Sequence, residues 1–210
     1  MRKRTVLEFL FPSIVAYNTN KRLKKESAEI NFNKLSSKWE RVLAQRKAEC
    51  LERVVDNLYD AEMRRKEIIE SKALSLFEGI AFTVSLLSVA LVFIGQRLIS
   101  VILLLPMFHF IMSALCSWNV SRVAEHYFFT TLNGFEQDLK ATSNLVETEC
   151  KRYWMTQKLA CTGINNGILI TKSNWLSAAY QHFVLGILFV IPILVAMTYE
   201  ILRTHIVLVS

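Results

Sequence analysis

The ionisable residue most at odds with its surroundings is His109, which lies inside an apolar run from Leu98 to Trp118. A polar side chain in such a run is costly to bury unless another group answers it, so it marks either a specific bond or a working site. His109 follows Arg97 by twelve residues, and Ser85 precedes Arg97 by the same distance. Folding the chain at Arg97 sets these two opposite each other, with Ala81, Ser85 and Ser88 forming a small-residue stripe that lets a neighbouring helix come close. Two chemistries fit. One is a neutral histidine hydrogen-bonded across a hairpin. The other is a pore or gate in which His109, Ser85 and Ser88 from several copies line a water path. Glu78 and the pair Gln181-His182 would then stand at its inner mouth. Pro106 and Pro192 either kink their helices or are tolerated in them.

No catalytic centre is legible. The chain has no Ser/His/Asp or Cys/His arrangement, no HExxH, no glycine-rich nucleotide loop and no paired carboxylates in an obvious pocket. Its four cysteines, Cys50, Cys116, Cys150 and Cys161, form no CxxC pair and have no histidine at ligand spacing. Neither a disulfide framework nor a metal site is expected, and no cofactor is implied. An Asn119-Val120-Ser121 sequon falls at a membrane edge on the inner side, where it would stay unmodified.

The elements that would position these residues begin with two apolar runs, Phe77–Gly95 and Leu98–Trp118, separated by Gln96 and Arg97 alone. A bilayer core of about 30 Å takes roughly 20 helical residues, so each run is long enough to cross it. Backbone polar groups in lipid must be satisfied internally, which makes both runs helices, and so short a link makes them an antiparallel hairpin. A third run spans roughly Ala178 to Tyr199, with Trp175, Tyr180 and Tyr199 near its ends, where amphipathic aromatics favour an interface.

The composition, 52% hydrophobic yet 20% charged, requires an aqueous part beside the apolar one. From Ser13 to Glu78 there is neither Gly nor Pro, so long uninterrupted helix is expected there. Leu43, Leu51, Val54, Val55, Leu58, Ala61, Ile68 and Ile69 recur at three- and four-residue steps, predicting one helix from about Leu35 to Gly95. After the second span, Phe128, Leu132, Phe135, Leu139, Thr142, Val146, Cys150 and Tyr153 follow nearly a 3.5-residue repeat. Folded at Arg97, Lys72 falls opposite Arg122 and Lys38 opposite Thr156, so the arms should pair antiparallel as a stalk of roughly 50 Å. Asn133-Gly134 is a kink or break in the second arm.

Cys161 to Trp175 reads CTGINNGILITKSNW and interrupts the helical pattern. Asn166-Gly167 signals a hairpin turn, GINNG suggests a phosphate loop without its Gly-Lys-Ser/Thr ending, and the plain alternative is a connecting loop. The first residues, with Arg2-Lys3-Arg4 before an apolar stretch, resemble a secretory signal, but Glu8 and Pro12 interrupt it. A helix lying flat on the membrane, or packed on the rest of the fold, fits better.

The resulting fold class is an all-α membrane protein: a transmembrane helical hairpin, a long cytosolic antiparallel coiled-coil-like stalk, and a third, C-terminal transmembrane helix. Its parts are a basic interfacial segment (1–34), a first arm (35–76), three spans (77–95, 98–120 and 178–200), a second arm (121–160), a loop (161–177) and a tail (201–210).

Charge orients it. Of 25 Lys and Arg, 17 fall in residues 1–72 and 6 in 121–177, which places both regions in the cytoplasm and the chain in a plasma membrane. This side carries net charge +7, with clusters at Arg2-Lys3-Arg4, Lys21-Arg22, Lys24-Lys25 and Arg64-Arg65-Lys66 that suit anionic lipid or nucleic acid.

The passage RRKEIIESKALSL, residues 64–76, leads a basic cytosolic helix into the tight hairpin, and a further cytosolic helix follows. This layout, over roughly residues 38–160, resembles small bacterial antiphage membrane effectors: retron transmembrane effectors and the two-span SLATT-type effectors. The third span departs from the two-span pattern. The resemblance implies a dormant inner-membrane protein held by a sensor, such as a reverse transcriptase with its nucleic-acid product. Release would let it oligomerise and permeabilise the membrane. Three spans cannot enclose an ion path, so such a pore requires a homo-oligomer. A membrane-anchored adaptor whose coiled coil recruits a partner, and a housekeeping channel or transporter subunit, are the other classes the sequence allows.

Overall fold

The computed structural model describes residues 6–27, 32–44, 48–94, 102–123 and 142–209, and these are helical apart from short turns. The helices are α1 (Val6–Leu10), α2 (Pro12–Ser27), α3 (Phe32–Ala44), α4 (Ala48–Ile94), α5 (Leu104–Arg122) and α6 (Glu147–Val209). Among the described residues there is no strand. The chain divides into two compact units: residues 1–19, 71–122 and 174–210, and residues 20–70 and 123–173.

Local chemistry explains where the helices begin. α2 opens on Pro12, whose missing N–H costs nothing at a first helical position. Pro106 occupies the first turn of α5, where N–H groups lack intrahelical acceptors anyway, so it interrupts no ladder. Pro192 lies inside α6, which continues past it. Before α6, the Leu145 N–H donates to the Thr142 carbonyl at 3.0 Å in a turn. Glu149 then reaches back to accept from the Val146 N–H at 3.4 Å, the reciprocal half of a capping box.

In the apolar unit, Leu76, Ile80 and Leu87 of α4, Leu103 and Phe110 at and within α5, and Ala178, Ala179, Val190 and Ile193 of α6 share one core with Ala16 of α2. Gly186 makes the α5–α6 contact close, because a Cβ there would lie 2.7 Å from the buried Phe110 ring. Away from this core, Phe82, Leu104, Ile111, Trp118, Leu188 and Val195 are exposed.

The polar unit corrects one expectation and adds a pairing that the fold-back at Arg97 did not include. Residues 161–177, expected as a loop, are helical within α6. Their turn-forming residues serve packing: Gly163 lets the Leu35 side chain of α3 approach to 3.2 Å of where a Cβ would be, and Asn165 is fully buried. Thr162 and Thr171 hydroxyls donate to the carbonyls of Lys158 and Gly167 one turn back. The helix propensity of Gly is about 1 kcal/mol below that of Ala, a cost that close packing offsets.

The added pairing joins α4 to α6. Lys158 meets Asp56 at 2.6 Å and Lys172 meets Glu70 at 2.5 Å, both at a separation of 102 residues. Arg65 donates to Asn166 across 101 residues, and Lys151 lies 4.0 Å from Glu52. A nearly constant difference means that α4 and α6 run parallel here, a pairing the fold-back at Arg97 did not include, because it set the start of α6 against the residues around Lys38. The antiparallel pairing expected between the residues around Lys38 and those around Thr156 is met, about one turn from the expected register, by α3, whose Leu35 faces Gly163 while its Leu43 shares a small core with Val55 and Met155. α4 is unbroken from 48 to 94, as expected of that stretch. The join between α3 and α4, the Asn133-Gly134 kink and the stripe from Phe128 to Leu139 lie outside the described residues.

Candidate functional site

His109 is buried, and its partner is His182 rather than Ser85. The two Nδ1 atoms stand 3.0 Å apart, a hydrogen bond in which one ring donates and the other accepts. His182 Nε2 is 3.2 Å from the Ser13 hydroxyl, so α5, α6 and the first turn of α2 meet in one chain of polar atoms. Both rings are at most 2% exposed. Phe189, two turns beyond His182 on the same face of α6, stacks on His109 with ring centres 5.4 Å apart and planes 17° off parallel. Phe108, itself exposed, packs edge-on against Phe11 between α1 and α2.

A second bond lies one turn further along α5, where the Ser113 hydroxyl donates to the Ala179 carbonyl at 2.7 Å. Ser117, a turn beyond, is buried with its hydroxyl unpartnered. His109, Ser113 and Ser117 thus form a polar line on the face of α5 turned to α6.

The other residues singled out above are placed differently. Ser85 and Ser88 are exposed and donate to the carbonyls of Ala81 and Val84, each at 2.8 Å. A helical serine always has that carbonyl within reach, so it needs no cross-helix acceptor. Glu78 is exposed as well. His182, expected at an inner mouth, is fully buried, while its neighbour Gln181 is half-buried.

Of the basic clusters, Arg2, Lys3 and Arg4 fall outside the described residues. Lys21, Arg22, Lys24 and Lys25 are exposed on α2, and Arg64 and Arg65 on α4, with Lys66 half-buried. Arg65 is held within the chain by Glu62 at 3.9 Å and Asn166 at 3.5 Å.

Sequence reasoning missed Ser13 as a histidine partner, although His109 and His182 both interrupt apolar runs and could have been paired on that ground. It also missed Lys172, buried against Glu70, because a lysine in a supposed loop is expected to be solvated.

Among the described residues no group of three or more His, Cys, Asp or Glu side chains converges on a point that could hold a metal ion. Cys116, Cys150 and Cys161 are free thiols. Burial pushes the Cys161 thiol up to about 11.

No family model, curated protein or solved structure matches this chain. Two helical segments, Leu104–Arg122 and part of Glu147–Val195, are long and apolar enough to cross a membrane.

Proposed function

We propose that this chain is a non-enzymatic effector of a bacterial inner membrane. Its apolar unit is set in lipid through three spans, its polar unit is cytoplasmic, and copies assemble to permeabilise the bilayer when a sensor partner releases them. The observation that carries the membrane part is the apolar exterior. In the two span-length segments on α5 and α6 only 39% is buried within the chain, whereas the core helix of a soluble protein would be mostly covered. The effector part rests on the antiphage-effector layout and on a polar node placed inside otherwise apolar helices.

Expression without the controlling partner should depolarise cells, read with a potential-sensitive dye, and His109→Leu should blunt that loss. A harmless wild-type chain would end the effector reading.

A membrane-anchored adaptor is favoured by one observation: the Ser85 and Ser88 hydroxyls are satisfied on their own helix and line nothing within one copy. Exchanging the spans for an unrelated anchor separates the two readings, since an adaptor keeps its activity and an effector loses it.

A further inference from the structure

Two imidazoles joined through their Nδ1 atoms have a limited capacity for protons. When both are neutral, one ring carries its proton on Nδ1 and donates, and the other carries it on Nε2 and accepts through a bare Nδ1. One added proton leaves a bare Nδ1 on one ring, so the bond survives. A second puts N–H groups on both Nδ1 atoms, at a spacing of 3.0 Å, with two positive charges facing each other among apolar side chains. The pair then repels, and among the described contacts of the two rings there is no carboxylate. The other titratable or charged groups on these elements within the apolar unit are Glu8 on α1, Tyr17 on α2, Lys72 and Glu78 on α4, Cys116 and the exposed Arg122 on α5, and Tyr180, the exposed Tyr199, Glu200, Arg203 and His205 on α6, the last four about five turns or more beyond His182. Tyr17, Lys72, Glu78 and Tyr180 are exposed, Glu8 is half-buried with an interaction of its own, and Cys116 lies two turns from His109.

The same node is where three helices are tied. Ser13 joins α2 to His182, and His182 joins α6 to α5. The remaining polar tie between α5 and α6 among the described residues is Ser113 to Ala179, one turn away, and Ser117 beyond it has none.

We propose that His109 and His182 form an acid-released latch: the bond holds α2, α5 and α6 together while the pair has a bare Nδ1 to share, and acid separates the helices when both rings are charged. Histidine is the side chain whose ordinary titration lies where such a device can work. The latch does not depend on the effector reading.

The test uses the full chain in lipid nanodiscs with Cys116 as its only thiol (C50S, C150S and C161A), and with His126 and His205 replaced by Gln. Cys116 is 1% exposed in the core behind the latch. Its reaction with 4,4′-dithiodipyridine, an acid-tolerant thiol reagent, is normalised to a free thiol at each pH. Wild-type Cys116 should react about tenfold or more faster at about pH 5 than at about pH 8. His109→Asn places an amide near the Nδ1 position and cannot gain a proton, so it should keep the low rate throughout. Glu8→Gln should respond as wild type does. Should His109→Asn not fold, as judged by circular dichroism at neutral pH, His182→Asn serves, since it removes the second titrating ring equally. A flat wild-type profile, an undiminished rise in the folded asparagine variant, or loss of the rise in Glu8→Gln would overturn the proposal.

Discussion

Lys172 is 3% exposed and donates to Glu70 at 2.5 Å, so the polar unit keeps a lysine ammonium almost entirely out of water on the strength of one carboxylate. The two partners are unequal, since the Glu70 side chain retains 38% of its exposure. Removing one should therefore not cost the same as removing the other. Glu70→Ala strands a buried charge and should lower unfolding free energy by about 3 kcal/mol. Lys172→Met leaves a carboxylate that water can reach and should cost about 1 kcal/mol or less. Denaturant titration of the two variants side by side measures the difference, and equal losses would contradict the burial described.

The parallel course of α4 and α6 is tested by charge exchange at Asp56 and Lys158, which meet at 2.6 Å. Asp56→Lys alone sets two cations together and should destabilise the chain by about 1 kcal/mol. The double exchange, Asp56→Lys with Lys158→Asp, should recover most of that. Additive losses would mean that the two residues are not neighbours.

Two glycines should respond in opposite senses. At Gly186 a new Cβ meets the Phe110 ring at 2.7 Å, and Phe110 is fully buried, so Gly186→Ala should cost about 1–3 kcal/mol. Gly79 has nothing within 4 Å of a new Cβ and lies inside α4, so Gly79→Ala should stabilise by about 0.5–1 kcal/mol. Thermal unfolding of both variants checks the pair.

Cys161 should resist alkylation. With its thiol pushed up to about 11 by burial, it stays protonated and unreactive at neutral pH, and iodoacetamide should modify it only when the chain unfolds. The sign for stability follows. A group whose folded value lies above its unfolded one favours folding below the unfolded value of 9.0, and that contribution fades as pH rises toward 11. Cys161→Ala should accordingly flatten the alkaline arm of the stability profile, read by denaturant titration across that range.

Much of the helical architecture was legible because long apolar runs and the absence of Gly and Pro between Ser13 and Glu78 leave little alternative to helix. Partner choice was not. A 3.6-residue period shows which face of α4 is apolar but not which helix covers it, and α6, helical through 161–177, runs parallel beside α4. Gly163, Asn165 and Asn166 read as a loop because their intrinsic preference is for turns, and tertiary packing against Leu35 overrides it. At the site, His109 stood out through the cost of burying it. Ser85 was misassigned as its partner because spacing from Arg97 measures depth along a hairpin and says nothing of rotation about the helix axis. Ser13 carried no signal at all, its role depending on how α2 packs.

The proposed function requires the apolar unit to be set in lipid, with the polar unit wholly on the cytoplasmic side. Single cysteines at the exposed positions Arg53 and Thr148, probed with a membrane-impermeant maleimide in bacterial spheroplasts, test this most directly. With the polar unit cytoplasmic, neither residue is labelled until the membrane is broken, both are labelled fully afterwards, and the protein is recovered in the membrane fraction. Labelling of one or both in intact spheroplasts, or recovery of the chain as a soluble protein, would contradict the proposed function.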